Sequence, residues 1–142
     1  MRSMTKKKTI LVADDDPDVL FMLGHHLEKW GYEAVTVASR REAEKFLEVS
    51  SPSLAIVDLM MEEEDSGFIL SYRIKKKDPA IPVIISTAVY SEKGIRFHLD
   101  NQAGRNWIRA DHYLEKGYRM ETLKQVIEKL LASYGTIKHT GG

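Results

Sequence analysis

The sequence has no cysteine, no excess of either charge and no long apolar run at its start. Without cysteine, disulfides, thiolate metal sites and thiol catalysis are excluded. Basic and acidic residues number 21 each, whereas non-specific nucleic-acid binding relies on a basic surplus. The first apolar run, residues 10–13, is too short for a signal peptide or a membrane span. We therefore expect no nucleic-acid partner, no membrane association and a cytoplasmic location.

The length of 142 residues favours one domain with its own hydrophobic core. The last residues are small and polar, and terminal segments of this kind are seldom held firmly. We predict a domain over residues 4–135 and a loosely ordered tail over residues 136–142.

Short β-like runs alternate with helical patterns along the whole chain. Buried strands are expected at residues 9–13, 32–37, 54–57, 82–86 and 110–114. Helices are expected after the N-cap residues Asp16 and Ser39, over residues 67–77, and from Met120 to Tyr134. This alternation predicts an α/β fold, a doubly wound five-stranded parallel sheet with helices on both faces. Ligands in such folds bind beyond the carboxyl ends of the strands.

Polar residues with complementary chemistry stand at four of these strand ends. Asp14 and Asp15 follow the first strand, Asp58 the third, Thr87 the fourth, and Lys116 comes just after the fifth. Three converging carboxylates repel one another, and one lysine does not balance them, so a hard divalent cation such as Mg²⁺ is expected. An ionised aspartate can attack a phosphoryl group, while a lysine and a hydroxyl stabilise the transferring oxygens.

The motifs ILVADDD, LAIVDLMM, PVIISTA and HYLEK occur in one order along the chain. In this order and spacing the sequence resembles the receiver domain of two-component response regulators, a flavodoxin-like fold also found in single-domain chemotaxis regulators. The resemblance covers nearly the whole chain, from about Thr9 to Tyr134.

The resemblance implies a role for each matching position. Asp58 matches the phosphoacceptor, with Thr87 and Lys116 as its catalytic partners, and Thr87 and Tyr113 match the switch pair. The positions that match ligands of Mg²⁺ (or Mn²⁺) are Asp14, Asp15, Asp58 and the backbone carbonyl of Met60.

The family receives its phosphoryl group from a phosphohistidine, so a sensor histidine kinase or a histidine phosphotransfer protein is the implied partner. The implied activity is phosphorylation and dephosphorylation of Asp58 itself, without turnover of small molecules. Phosphorylation would draw Thr87 towards the phosphoryl group and turn Tyr113 inward, which alters the outer face. The 142 residues show no appended output domain, so we expect the signal to leave by protein contact or onward phosphotransfer.

The chain departs from the family pattern at three places. Glu62 stands where the family has proline after the phosphoacceptor. Gly117 replaces the proline after the lysine, and we expect the Lys116–Gly117 peptide bond to be trans, because a non-proline cis bond costs about 2.5–4 kcal/mol. The interval from Thr87 to Lys116 is longer by roughly seven residues, which indicates an insertion within residues 88–110.

The same residues bear on three alternative functions. A pseudo-receiver, used as an unphosphorylated interaction module, stays open because of Gly117 and the insertion. A Mg²⁺-dependent phosphatase with an aspartate nucleophile would need a second aspartate two positions on, where this chain has Met60. A flavodoxin-like electron carrier or a nucleotide-binding protein would need a phosphate-binding loop after the first strand, where this chain has Asp14, Asp15 and Asp16.

Overall fold

The computed structural model describes residues 7–61, 66–87 and 110–141, with side chains as far as residue 133. Glu62 and almost all of the expected insertion, residues 88–109, lie outside the described residues.

Five parallel strands form one sheet in the order β2-β1-β3-β4-β5. The strands are β1 (Thr9–Ala13), β2 (Glu33–Val37), β3 (Leu54–Asp58), β4 (Val83–Thr87) and β5 (His112–Glu115). The helices of the described ranges are α1 (Pro17–Lys29), α2 (Arg40–Val49), α3 (Ser66–Lys77) and α4 (Met120–Gly141). The predicted α/β fold with a doubly wound parallel sheet is confirmed. The helix α4 extends past residue 135, and the domain limits at residues 4 and 135 stay predictions.

The sheet buries both of its faces, because alternate side chains of each strand point to opposite sides. Ile10 and Val12 of β1 join one core cluster, which includes Leu23 of α1 and Leu123 of α4. Leu11 and Ala13 join the other cluster, which α2 and α3 complete. In the part of the chain that the structure describes, every helix lacks the length or the apolar character needed to cross a membrane.

The ends of α1 follow from local chemistry. The Asp16 side chain accepts a hydrogen bond from the Asp18 N–H at 2.9 Å, so the expected N-cap is confirmed. At the other end Gly31 adopts a φ of 96°, and the Tyr32 N–H donates to the Leu27 carbonyl. Tyr32 thus belongs to the helix cap, which is why β2 begins at Glu33 and not at residue 32.

The start of β5 is fixed by Asp111. Its N–H donates to the Val83 carbonyl at 2.8 Å, and its side chain accepts from the Val83 N–H at 2.8 Å. The same carboxylate oxygen lies 2.7 Å from the Lys75 ammonium. Because the Asp111 side chain takes part in the pairing, regular strand geometry begins one residue later, at His112, and not at residue 110 as predicted.

Candidate functional site

The carboxyl ends of β1 and β3 border the crevice where the strand order reverses. From β1 the chain crosses to β2 on one side and later returns to β3 on the other, which creates the topological switch point of such folds. Asp14 and Asp15 follow β1, and Asp58 ends β3. One carboxylate oxygen of each lies within 4.8 Å of the others. The structure therefore brings the three predicted aspartates together.

Asp14 and Asp58 are almost completely buried, at 2% and 4% exposure, whereas Asp15 is exposed. The Asp14 N–H donates to the Val37 carbonyl at 3.1 Å, and its Oδ1 accepts from the Asp16 N–H at 2.9 Å. The first bond holds the Asp14 backbone and the second holds its carboxylate, whose other oxygen contacts Lys116.

Lys116 lies between the two buried carboxylates. Its Nζ is 2.9 Å from Asp14 Oδ2 and 3.5 Å from Asp58 Oδ1. Burial opposes the ammonium charge, but the hydrogen bond with Asp14 and the charges of both carboxylates outweigh it and raise the pKa of Lys116. Every peptide bond of the described ranges is trans, including Lys116–Gly117. This confirms the expected trans bond, and the lysine nevertheless reaches the site.

The Asp58 carboxyl has a pKa of about 6, well above its ordinary value. Burial is the main cause, followed by the negative charge of Asp14, and Asp15 adds a smaller effect. Lys116 and the backbone N–H of Met60, which bonds the carboxylate, act in the opposite direction without cancelling them. Without a cation, ionised Asp58 is therefore an unfavourable state at this position.

Gly67 lets α3 approach the chain segment that carries Asp58. Its N–H donates to the Leu59 carbonyl at 2.8 Å, and the Leu59 N–H donates to the Ser86 carbonyl at 2.8 Å. A Cβ at position 67 would lie 2.5 Å from the Asp58 carbonyl oxygen and 2.6 Å from the Leu59 Cα. In the sequence Gly67 indicated only the beginning of a helix, so this supporting role was missed.

Tyr118 is a second residue near the site that the sequence interpretation missed. Its ring packs against the core cluster of the α1 and α4 face. Burial raises the pKa of its hydroxyl to about 12, and the charges of Asp14 and Asp58 add to the shift. The sequence could have indicated Tyr118, because it lies two residues after Lys116 in a segment that must lie close to the carboxylates.

Thr87 and Tyr113 lie on the adjacent strands β4 and β5. Thr87 ends β4 and is 6% exposed, and Tyr113 pairs in register with Ile85 of β4. The Tyr113 ring packs against the core cluster of the α2 and α3 face, and burial raises the pKa of its hydroxyl to about 12. The Met60 side chain is 54% exposed next to Asp58. The switch role of Thr87 and Tyr113 and the ligand role of the Met60 carbonyl stay predictions.

Known proteins share this arrangement of strands and are similar to the chain in sequence. The sequence model of the response regulator receiver domain matches residues 10–128. The chain belongs to this family. This receiver domain is 32% identical over 126 residues to the heme response regulator HssR of Staphylococcus saprophyticus, an alignment covering 89% of the chain and 52% of HssR.

Two solved structures show the same fold at full domain length. A CheY-like response regulator receiver domain protein of Methanospirillum hungatei is 27% identical, with a TM-score of 0.79, over 92% of this chain and 98% of the other. The response regulator TrrA of Thermotoga maritima, in complex with Mg²⁺-BeF, is 31% identical, with a TM-score of 0.71, over 87% and 98%. The receiver domain spans about half the length of HssR, the curated relative above.

The donor set of this receiver domain suits a hard divalent cation. Asp14, Asp15 and Asp58 offer carboxylate oxygens, the ligands that Mg²⁺ and Ca²⁺ prefer, and they lie close enough to share one ion. Among the described residues Lys116 brings one positive charge to the three carboxylates, and burial, followed by the charge of Asp14, raises the pKa of Asp58. The residues present therefore fit a metal ion.

We expect the Tyr113→Phe variant to be at least as stable as the unmodified receiver domain, with a gain of about 1 kcal/mol. The Tyr113 hydroxyl is buried, and among the described residues none forms a hydrogen bond with it. Burying a hydroxyl without a partner is unfavourable, and phenylalanine keeps the ring while removing that cost. Urea unfolding of both proteins measures the difference. A loss of more than about 1 kcal/mol would show that the hydroxyl has a partner that stabilises the fold.

Proposed function

We propose that this receiver domain is the phosphoacceptor switch of a two-component phosphorelay. Asp58 takes the phosphoryl group from a phosphohistidine of a sensor histidine kinase or a histidine phosphotransfer protein, with Mg²⁺ or Mn²⁺ as cofactor. One observation carries the proposal: a buried aspartate with a strongly raised pKa lies between two further carboxylates and a lysine at the switch point of the fold. Such a group is unfavourable for stability alone, which points to a chemical role.

In the reaction, a carboxylate oxygen of Asp58 forms a bond to phosphorus while the bond from phosphorus to the histidine nitrogen breaks. The imidazole leaves with the electron pair of that bond and takes up a proton from solvent. When bound, the cation neutralises charge on the carboxylates and on the transferring oxygens. Asp14, Asp15, Asp58 and the Met60 carbonyl would hold it.

Lys116 and Thr87 act on the transferring group. The ammonium of Lys116, 3.5 Å from Asp58 Oδ1, is placed to form charge-assisted hydrogen bonds with phosphoryl oxygens. The hydroxyl of Thr87, on the neighbouring strand, donates to another of these oxygens. We propose that this contact draws Thr87 towards Asp58 and that Tyr113 repacks behind it, which changes the affinity of the outer face for a partner.

The partner and location also belong to this proposal. Relatives that extend beyond the matched region are named transcriptional regulatory proteins, for example PhoP of Bacillus subtilis. The formal net charge of zero favours protein partners, and not nucleic acid, for the receiver domain itself. A kinase-coupled phosphorelay would operate in the cytoplasm, and no turnover of small molecules is expected.

Incubation with acetyl phosphate tests the proposed chemistry. We expect one phosphoryl adduct by intact-mass spectrometry that forms with Mg²⁺, is absent with a chelator, and is absent from Asp58→Asn. The variant is a matched control because asparagine keeps the shape of the side chain and removes the nucleophilic charge. An adduct on Asp58→Asn, or one independent of Mg²⁺, would contradict the proposal. No adduct even with a purified histidine phosphotransfer donor would favour a pseudo-receiver that binds partners without phosphorylation.

A further inference from the structure

Two of the three residues that follow β5 have side chains with different surroundings, although both lie near the carboxylates. The Lys116 N–H donates to the Thr87 carbonyl at 2.6 Å, which continues the β4–β5 pairing one residue beyond the strand. Its side chain extends to Asp14 in the crevice. Tyr118, only two residues later, packs into the core of the α1 and α4 face. The single residue between them, Gly117, lies in the turn that leads the chain from one to the other.

Gly117 has a φ of 101°. L-amino acids with a side chain rarely adopt this conformation, whereas glycine adopts it without steric cost. Among the described residues, no atom lies within 4 Å of a Cβ at position 117. The need for glycine here is therefore one of backbone conformation and not of space.

We propose that Gly117 is a positioning residue, whose left-handed backbone conformation holds the Lys116 ammonium against Asp14 and Asp58. The inference deepens the proposed function, because it assigns a residue that sets the reach of the catalytic lysine. Tyr118 is anchored in the core on one side, and the Lys116 N–H is bonded to β4 on the other. A residue that disfavours positive φ must then shift the chain between these anchors, and the long side chain of Lys116 moves with it.

The contact that this shift would weaken, between Lys116 and Asp14, tolerates little movement. The distance of 2.9 Å between Lys116 Nζ and Asp14 Oδ2 is at the upper end of the range for a charge-assisted hydrogen bond. The 3.5 Å to Asp58 Oδ1 is already beyond that range. A displacement of about 1 Å away from Asp14 would break the hydrogen bond between Lys116 and Asp14, and misplacements of that size can cost about 100-fold in rate.

The test compares Gly117→Ala with Gly31→Ala, because the chain offers a matched glycine. Gly31 has a φ of 96°, and a Cβ there would also meet no atom of the described residues within 4 Å. It lies between α1 and β2, at the amino end of the sheet and away from the site. Both variants should lower the melting temperature by a similar amount. Only Gly117→Ala should slow phosphorylation by saturating acetyl phosphate, by about 10-fold or more.

Mg²⁺ affinity distinguishes withdrawal of Lys116 from a general loosening of the structure, because the two change the affinity in opposite directions. Lys116 competes with a cation for Asp14 and Asp58, so its withdrawal should leave Mg²⁺ binding by Gly117→Ala as tight as before or tighter. Loosened ligands would instead bind Mg²⁺ more weakly. In a Lys116→Ala background, Gly117→Ala should cause no further slowing, because a residue that acts only through Lys116 has nothing left to position.

Nitrogen-15 NMR of the lysine ammonium groups tests the same geometry without phosphoryl transfer. In the metal-free protein the Lys116 signal should be protected from solvent in the unmodified chain and in Gly31→Ala, and unprotected in Gly117→Ala. The inference is overturned by any one of three results: equal phosphorylation rates of the two alanine variants, weaker Mg²⁺ binding by Gly117→Ala, or an unchanged Lys116 signal. An unmodified chain that takes no phosphoryl group contradicts the proposed function instead, and the NMR comparison still decides the role of Gly117.

Discussion

The metal-free Asp58→Asn variant is expected to be more stable than the unmodified protein at pH 7, by up to about 3 kcal/mol. The Asp58 carboxyl has a pKa of about 6 in the folded protein and 3.8 as its ordinary value, mainly because it is buried. Each unit of such a shift corresponds to about 1.36 kcal/mol. An ionised Asp58 therefore lowers the free energy of unfolding, and the neutral amide of asparagine removes that cost.

The direction of the pH dependence follows from proton binding. Between about pH 4 and pH 6 the folded protein binds more protons at Asp58 than the unfolded chain does. Asp58 therefore costs little stability below pH 4. Its presence lowers the free energy of unfolding progressively as the pH rises towards 6, and the cost stays constant above that. The difference between Asp58→Asn and the unmodified protein should thus be small at pH 4 and largest above pH 6.

Chemical unfolding with a chelator present, at several values from pH 4 to pH 8, measures both the size and the slope. Asp15→Asn is the control for removing one charge from the trio, because Asp15 is exposed and its amide variant should gain much less. With saturating Mg²⁺ the order should reverse, since the cation binds the unmodified folded protein more tightly and stabilises it by mass action. An Asp58→Asn variant that is less stable than the unmodified protein without metal would contradict the proposed burial of an unfavourable charge.

Much of this site could be predicted because its signals are local in the sequence. Each of β1 and β3 is a run of apolar residues that ends directly in aspartate, so the sequence defines both the buried strand and its polar end. Parallel strands place their carboxyl ends at one edge, which is why Asp14, Asp15 and Asp58 were predicted to meet although 43 positions separate Asp15 from Asp58. The structure confirms their proximity.

Other features depend on contacts or backbone angles that a single sequence does not encode locally. The reach of Lys116 depends on the φ of Gly117, and glycine permits many conformations without selecting one. The Gly67 contact depends on how deeply α3 packs against the end of β3, which is decided by the whole core. The first residue of β5 differs from the prediction because the Asp111 side chain pairs with the backbone of Val83.

Gly67→Ala is expected to destabilise the protein by about 2–4 kcal/mol and to disturb the metal site at the same time. The added Cβ would lie 2.5 Å from the Asp58 carbonyl oxygen, 2.6 Å from the Leu59 Cα and 3.0 Å from the Leu59 carbonyl oxygen. All three are backbone atoms, and Leu59 is bonded to Ser86 of β4 as well as to Gly67. The clash therefore cannot be relieved by turning a side chain, and either α3 or the end of β3 must move.

Gly24→Ala is the matched control within the same chain. Gly24 lies in the interior of α1, and a Cβ there would meet the Thr36 Cγ2 at an ordinary contact distance of 3.6 Å, with no closer contact among the described residues. Alanine in the middle of a helix is more stable than glycine by about 0.5–1 kcal/mol. The same substitution should therefore stabilise the protein at position 24 and destabilise it at position 67, and urea unfolding of both variants measures the two signs.

The effect of Gly67→Ala on the site should exceed what reduced stability alone explains. Moving the end of β3 moves the Asp58 carboxylate relative to Asp14 and Asp15, so the three oxygens no longer share one ion. We expect Mg²⁺ affinity, measured by calorimetry under conditions where the variant is fully folded, to fall by about 10-fold or more. Unchanged affinity in a folded but destabilised variant would mean that α3 moves to relieve the clash and that the end of β3 stays in place. The position of Asp58 would then be set by its pairing with β4 alone, and not by the contact with Gly67.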